Sequence, residues 1–209
     1  MKNGICKIFA AGDYFGSISK DVNDLIIAAD AGYHHLKNIG IIPDILLGDF
    51  DTIGNIPDHN NIITFPCEKD YTDTELAITE GIKQGFSRFI VYGAIGGKRF
   101  EHTVANLTLA ASYAEKGYDI TLTDGNYFIK ALNNGHVSFP KEMTGFISVF
   151  TISGKAEGVS ESGLKYSLEN ATLDSSNPTL CVSNEFTGKP SSVSVKNGTV
   201  IIIWQNNKV

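Results

Sequence analysis

The chain has 209 residues, of which 42% are hydrophobic and 19% are charged, as in ordinary globular proteins and unlike disordered chains. This length provides enough core for one sizeable domain or two modest ones. The formal net charge of −6 argues against nonspecific binding to nucleic acid or to an anionic membrane. It does not exclude a phosphate ligand, because a bound metal ion reverses the local field.

The three cysteines, Cys6, Cys67 and Cys181, are far apart and form no CxxC pair. We therefore expect neither a disulfide framework nor a thiolate zinc site, and a reducing compartment fits this cysteine usage. The chain shows no signal-peptide pattern and no apolar stretch of transmembrane length. These features predict a soluble, cytoplasmic protein that binds neither a membrane nor nucleic acid.

In the first part of the chain, short apolar runs alternate with segments of helical periodicity. Buried strands are predicted over residues 5–10, 25–29, 45–47, 62–65, 89–92 and 120–122. Helices are predicted over residues 31–39, 73–84 and 103–116, and each is followed by a glycine. This alternation predicts an α/β domain with a mainly parallel sheet over residues 1–134.

The second part of the chain has a different rhythm, with one short strand pattern after another. Strands are predicted over residues 146–152, 155–160, 164–168, 179–182, 191–196 and 199–204. Lys196-Asn197-Gly198-Thr199 is typical of a two-residue hairpin turn. We therefore expect an antiparallel β-sandwich domain over residues 135–209, with the boundary near Asn133-Asn134-Gly135.

Aspartates follow several of the predicted parallel strands, at positions that meet at one edge of the sheet, where ligands of open α/β sheets bind. Asp49 and Asp51 lie two residues apart, so an extended chain points both carboxylates the same way and turns Phe50 into the core. Close carboxylates repel unless a cation separates them, and oxygen ligands suit Mg²⁺. A solvated loop with two turn-forming aspartates explains this motif equally well on its own.

Two further segments lie at the same predicted edge. Asp70-Tyr71-Thr72-Asp73 begins a helix; taken alone it favours N-terminal capping, although Thr72 can cap while Asp70 and Asp73 face a metal. The glycine-rich run from Gly93 to Gly97 leads through Lys98 and Arg99 into another helix, a combination suited to phosphate. It matches neither a Walker A loop nor GxGxxG, and an ordinary strand–helix turn is the alternative. Together the three segments predict a Mg²⁺-dependent enzyme that acts on a phosphorylated substrate.

The order and spacing of these motifs resemble the thiamine pyrophosphokinase family. The resemblance extends from about residue 8 to residue 204 and includes two later segments, Gly163-Leu164-Lys165-Tyr166-Ser167-Leu168 and Ser183-Asn184-Glu185-Phe186. This chain differs from the usual family pattern by Lys98, which is inserted before Arg99, and by Glu101, where aspartate is usual.

The resemblance implies an N-terminal catalytic domain that binds ATP and Mg²⁺, a C-terminal domain that binds thiamine, and a homodimer with thiamine sites between its subunits. It implies that four catalytic aspartates hold Mg²⁺ and the ATP phosphates: Asp49, Asp51, Asp70 and Asp73. The implied ATP-binding residues are Asp30, Gly48, Thr72, Gly93, Gly96, Gly97, Arg99 and Glu101. The implied thiamine contacts are Tyr166, Ser183 and Asn184.

The expected reaction is transfer of the diphosphate of ATP to thiamine, which gives thiamine diphosphate and AMP. The second candidate is a Mg²⁺-dependent hydrolase of nucleotides or phosphate esters that uses the same carboxylates with water. The third is a thiamine or nucleotide sensor without chemistry, although a pure binder gains little from four clustered carboxylates. Trp204, at the end of the last strand pattern, is expected in the core.

Overall fold

The computed structural model describes residues 2–51, 57–152 and 154–205. The outer limits of the two expected domains, residues 1 and 209, lie outside these ranges. The chain forms two compact units, one of residues 1–106 and 120–125 and the other of residues 107–119 and 126–209. Among the described residues, no helix is both long enough and apolar enough to cross a membrane.

The first unit is an α/β sheet domain, as predicted. Its elements in chain order are β1 (Cys6–Phe9), β2 (Leu25–Ala29), α1 (Gly32–Asn38), β3 (Ile45–Gly48), β4 (Ile62–Thr64), α2 (Asp73–Lys83), β5 (Arg88–Tyr92), the start of α3 (Phe100–Glu115) and β6 (Asp119–Thr123). The strands follow the order β6-β5-β1-β2-β3-β4, and the five from β5 to β4 pair in parallel. Their carboxyl ends therefore lie at one edge, where a ligand site is expected.

Apolar side chains of the strands build the core of this unit. Phe9 and Tyr92 stack with ring centroids 4.6 Å apart. Phe50, in the loop after β3, packs in the same hydrophobic cluster. Phe50 is buried, as predicted, but its left-handed φ of 61° shows that the chain is not extended between Asp49 and Asp51, contrary to the prediction. Burial of this ring offsets the cost of the backbone conformation, and the aspartates on either side of it are less buried.

The second unit consists of antiparallel strands. These are β7 (Tyr127–Asn133), β8 (His136–Phe139), β9 (Phe146–Thr151), β10 (Ala156–Ser162), β11 (Leu168–Leu173), β12 (Asn184–Glu185), β13 (Ser191–Ser194) and β14 (Thr199–Gln205). One layer has the order β12-β9-β14-β7 and the other the order β11-β10-β13-β8. Apolar side chains from both layers form a single core, which confirms the predicted β-sandwich.

Several predicted elements of the second unit differ from the structure. Residues 179–182 form turns, in which Leu180 N–H donates to Asn177 O and Val182 N–H to Thr179 O, both at 3.2 Å. The predicted strand over 164–168 is reduced to one bridge between Leu164 and Phe186, because the strand begins at Leu168. The strand from Tyr127 to Asn133 was not predicted, and it pairs antiparallel with β14. Short apolar runs do not distinguish a strand from an apolar turn.

Candidate active site

A cavity of about 680 Å³ lies among the carboxyl ends of the parallel strands. It is lined by the segments that follow β1, β2, β3, β4 and β5, so the sheet brings together stretches that are far apart in sequence. Nine of the sequence-predicted site residues line it: Asp30, Asp49, Asp51, Thr72, Asp73, Gly93, Gly96, Gly97 and Arg99.

Three aspartates form a compact cluster in this cavity. Asp30, Asp49 and Asp51 each offer a carboxylate oxygen that lies within 4.8 Å of the other two. Opposite ligands of an octahedral Mg²⁺ ion stand about 4.2 Å apart, so this spacing is close to what one ion requires. Asp30 is buried, Asp49 is half-buried and Asp51 is exposed, which leaves an open side for a substrate. The donor set therefore fits a hard divalent cation.

The backbone around Asp30 and Gly48 holds two of these carboxylates together. Asp30 has a left-handed φ of 45°, and its N–H donates to Leu47 O at 2.8 Å. A Cβ atom on Gly48 would lie 3.2 Å from the Asp30 Cα atom, so this close approach favours glycine. Gly48 does not line the cavity. Gly48 instead lies against the backbone of Asp30, and its lack of a side chain allows the carboxyl ends of β2 and β3 to approach each other closely.

Lys69 is a cavity residue to which the sequence analysis assigned no role. Its Nζ lies 3.1 Å from Asp49 Oδ2 and 2.7 Å from Asp73 Oδ1, and its side chain is 13% exposed. Burial raises the pKa of the Asp49 carboxyl, but the hydrogen bond and charge of Lys69, together with hydrogen bonds from Asp51, outweigh burial and lower the pKa overall. Burial likewise lowers the pKa of Lys69, and its two carboxylate partners more than offset this. Lys69 precedes the first residue of α2, so helical spacing does not bring it to Asp73, and no local sequence signal predicted the contact.

The start of α2 combines a helix cap with the cavity wall. Thr72 Oγ1 accepts a hydrogen bond from Glu75 N–H at 3.2 Å, which confirms the predicted N-terminal cap. Thr72 also lines the cavity, so capping and a place at the site occur together. Asp70 is exposed just before the helix and does not line the cavity.

The glycine-rich segment is held in place by the first turns of α3. Asn106 is buried and its Nδ2 donates to Ala94 O at 2.8 Å, while Gly96 N–H donates to Thr103 Oγ1 at 3.0 Å. Behind the segment, Gly12 N–H donates to Gly93 O at 3.0 Å, and a Cβ on Gly12 would lie 2.4 Å from that oxygen. Asn106 and Gly12 line the cavity, and sequence reasoning missed both because each acts through a distant partner.

Arg99 and Glu101 form an exposed ion pair at the rim. Arg99 Nε donates to Glu101 Oε1 at 2.9 Å, and this contact lowers the pKa of the Glu101 carboxyl. Arg99 lines the cavity and Glu101 does not. The Arg99 side chain therefore lies at the cavity rim, and its ion-pair partner Glu101 lies outside the cavity lining.

The predicted thiamine contacts lie in the second unit. Tyr166 and Asn184 line a pocket of about 290 Å³, together with Glu161, Ser167, Leu168, Leu180, Cys181 and Val182. The Tyr166 side chain is exposed, whereas Asn184 is buried. Ser183 does not line this pocket, and its N–H donates to Ser148 Oγ at 3.0 Å. Trp204 stacks on Phe128 and packs against the core, as predicted.

Two domain families of known proteins match this chain, one in each part of the sequence. Residues 18–122 match the profile of the thiamin pyrophosphokinase catalytic domain, and residues 134–200 match that of the thiamin pyrophosphokinase vitamin B1 binding domain. Over 192 residues the chain is 30% identical to the thiamine pyrophosphokinase of Bacillus subtilis (strain 168), with 88% of each protein covered. Over 171 residues it is 28% identical to thiamin pyrophosphokinase 1 of Caenorhabditis elegans, with 77% of this chain and 68% of that protein covered.

Solved structures agree with this result. The crystal structure of thiamine pyrophosphokinase from Bacillus subtilis superposes with a TM-score of 0.82 and 26% identity over 99% of this chain and 100% of that one. A thiamin pyrophosphokinase family protein from Enterococcus faecalis superposes with a TM-score of 0.81 and 25% identity over 98% of this chain and 99% of that one. The chain therefore belongs to the thiamin pyrophosphokinase family.

Proposed function

We propose that this protein transfers the diphosphate group of ATP to thiamine, giving thiamine diphosphate and AMP. The observation that carries the proposal is the meeting of three aspartates with the cations of Lys69 and Arg99 in one cavity. Transfer of a phosphate group needs carboxylates for a divalent ion and cations for the phosphate oxygens. The names of the relatives and the matched vitamin B1 binding domain support thiamine as the acceptor.

The proposed metal is Mg²⁺, with Asp49, Asp51 and Asp73 among its carboxylates and Asp30 beside them. When bound there, Mg²⁺ supplies charge compensation and orientation for the phosphates of ATP. Asp70 remains a predicted fourth ligand, although it lies outside the cavity lining. The all-oxygen character of the cluster and its spacing support this assignment.

The remaining cavity residues are proposed to bind and orient ATP. Arg99 and Lys69 offset negative charge on the transferred group, and the backbone at Gly96 and Gly97 approaches the phosphates. The thiamine hydroxyl oxygen forms a bond to the β-phosphorus, the bond from that phosphorus to the α-phosphate oxygen breaks, and AMP leaves. A carboxylate at the start of α2, Asp70 or Asp73, accepts the hydroxyl proton.

Thiamine is proposed to bind against the second unit. The exposed ring of Tyr166 offers a face for stacking on the thiamine rings, and Ser183 and Asn184 belong to the polar segment beside it. The family resemblance further supports a homodimer whose thiamine sites lie between the two subunits. All three cysteines lie within the described residues and are free, which supports a cytoplasmic location.

The test is a single reaction of purified protein with ATP, Mg²⁺ and thiamine, followed by chromatography of the products. Equal amounts of AMP and thiamine diphosphate are expected. Release of phosphate or diphosphate from ATP without thiamine would indicate the hydrolase. Tight binding of thiamine without any turnover would indicate the sensor.

A further inference from the structure

We propose that Glu161 is a positioning residue of the thiamine site, which sets the amide of Asn184 and, through that amide, the backbone of Tyr166. Glu161 lies on β10 and is 3% exposed. This inference rests on the proposed function, because it concerns how the thiamine-binding surface is held.

The first step is the environment of the Glu161 carboxyl group. Its Oε2 accepts a hydrogen bond from Asn184 Nδ2 at 2.8 Å, while its Oε1 has no hydrogen-bond partner within the described ranges. Because Oε1 is also closed off from solvent, it is not placed to contact a ligand directly in this arrangement. A buried carboxyl group with one unused oxygen is costly for stability, and such costs are concentrated at functional sites.

The second step is the amide of Asn184, whose hydrogen-bonding capacity is fully used. Its Oδ1 accepts from Tyr166 N–H at 3.0 Å and from Glu185 N–H at 2.9 Å. Its Nδ2 donates to Tyr166 O at 2.7 Å and to Glu161 Oε2. An amide turned by 180° would direct Nδ2 at two N–H donors and Oδ1 at two acceptors. The carboxylate of Glu161 therefore favours the observed orientation.

The third step is the aromatic ring that Asn184 holds. Both backbone polar groups of Tyr166 bind the Asn184 amide, so this contact pair holds the backbone from which the aromatic ring projects. Tyr166 is 62% exposed and lines the pocket of about 290 Å³ that Glu161 also lines. Lys165 Nζ lies 5.6 Å from the ring centroid on one face and pairs with Glu185 Oε2 at 3.0 Å. An aromatic surface held in advance loses less conformational entropy when a ligand stacks on it.

The experiment compares three variants in the full-length protein. Glu161→Leu removes the hydrogen-bond acceptor, whereas Glu161→Gln keeps an oxygen that can accept from Asn184. Glu157→Leu is the control: Glu157 lies on the same strand, forms a surface ion pair with Lys155 and does not line the pocket. We expect Glu161→Leu to raise the thiamine KM about tenfold, with an ATP KM within about twofold of the wild type. Glu161→Gln and Glu157→Leu are expected to keep both KM values.

A structural measurement accompanies the kinetics. Hydrogen exchange at the Tyr166 amide is expected to speed up in Glu161→Leu and to stay unchanged in Glu161→Gln. If Glu161→Leu does not fold, Glu161→Asp carries the same test, because the shorter side chain withdraws the acceptor from Asn184. Fluorescence of Trp204, in the second unit, reports whether each variant is folded.

Three results would overturn this inference. The first is an unchanged thiamine KM in Glu161→Leu, and the second is an equal rise of the thiamine KM and the ATP KM in that variant. The third is a rise of the thiamine KM in Glu161→Gln as large as in Glu161→Leu. A wild-type protein that forms no thiamine diphosphate overturns the proposed function itself. An active wild type with an unaffected Glu161→Leu variant overturns only the role of Glu161.

Discussion

Lys69 and Asp49 form an ion pair inside the cavity, with Nζ 3.1 Å from Oδ2, and the same Nζ lies 2.7 Å from Asp73. The ammonium group thus occupies a position between two carboxylates that would otherwise repel each other. In the proposed reaction this group is near the phosphates of ATP, and binding of Mg²⁺ by the carboxylates would free it to meet them. We therefore expect Lys69 to contribute both to the stability of the cavity and, in the proposed reaction, to phosphate binding.

The first prediction concerns this ion pair in metal-free protein. Lys69→Met is expected to lower the free energy of unfolding at pH 7 by about 1–3 kcal/mol, since two partly buried carboxylates lose a charged partner. The pKa of Asp49 is depressed, so the stabilisation is present above the ordinary aspartate pKa of about 3.9 and is lost as the pH falls further. The pKa of Lys69 is raised, so the stabilisation is also lost in strong alkali, above about pH 10.4.

Urea unfolding with EDTA from pH 7 down to pH 3 measures this difference. Lys83→Met, at an exposed lysine on α2, serves as the control. A gap between Lys69→Met and the wild type that stays constant down to pH 3 would contradict the assignment of the ion pair.

The second prediction concerns the acidic cluster. Asp51→Asn removes the charge of one carboxylate from the cluster and is expected to lower kcat/KM for ATP by roughly 100-fold. The measurement is the formation of AMP and thiamine diphosphate at several Mg²⁺ concentrations. Asp58→Asn, at an exposed aspartate outside the cavity, is the matched control. Near-normal product formation by Asp51→Asn would contradict the assignment of Asp51 to a metal site.

The third prediction concerns the exposed ring in the second unit. Tyr166→Ala is expected to raise the thiamine KM about tenfold, because stacking on the aromatic face is lost, while the ATP KM changes little. Tyr166→Phe keeps the ring and is expected to remain close to the wild type. Steady-state kinetics with each substrate varied in turn separates the two KM values. Equal effects on thiamine and ATP would count against stacking.

The fourth prediction concerns the stability cost of Glu161. Burial raises the pKa of this carboxyl group, and the hydrogen bond from Asn184 offsets only part of that effect. The free energy of unfolding of the wild type is therefore highest, relative to that of Glu161→Gln, below the ordinary glutamate pKa of about 4.3. This advantage is lost as the pH rises through the raised pKa of Glu161 in the folded protein. Glu161→Gln is expected to gain on the order of 1 kcal/mol at pH 7 to 8.

Thermal unfolding between pH 4 and pH 8 tests this prediction. The neighbouring Cys181 does not complicate it, because burial and the charge of Glu161 raise the pKa of that thiol to about 12. A melting temperature of Glu161→Gln at or below that of the wild type at pH 8 would argue against a raised pKa.

The sequence by itself determined the two fold classes and the main acidic positions. Apolar runs between helical patterns indicate a parallel sheet, and its strand ends share one edge whatever the details of packing. The prediction of a buried Phe50 ring between two less buried carboxylates is also confirmed, although the backbone there is left-handed and not extended as expected. These features are local, since they depend on periodicity and on neighbours within a few residues.

Only the tertiary structure decided which distant side chains meet. Lys69 and Asp49 are 20 residues apart, and Asn184 and Glu161 are 23 residues apart, so both contacts depend on strand order and register. The turn at residues 179–182 was misjudged for the same reason: its backbone groups find partners within the turn and at Val149, whose N–H donates to Cys181 O at 2.9 Å. Apolar composition predicts burial, but hydrogen bonds between distant segments determine the backbone conformation in which burial occurs.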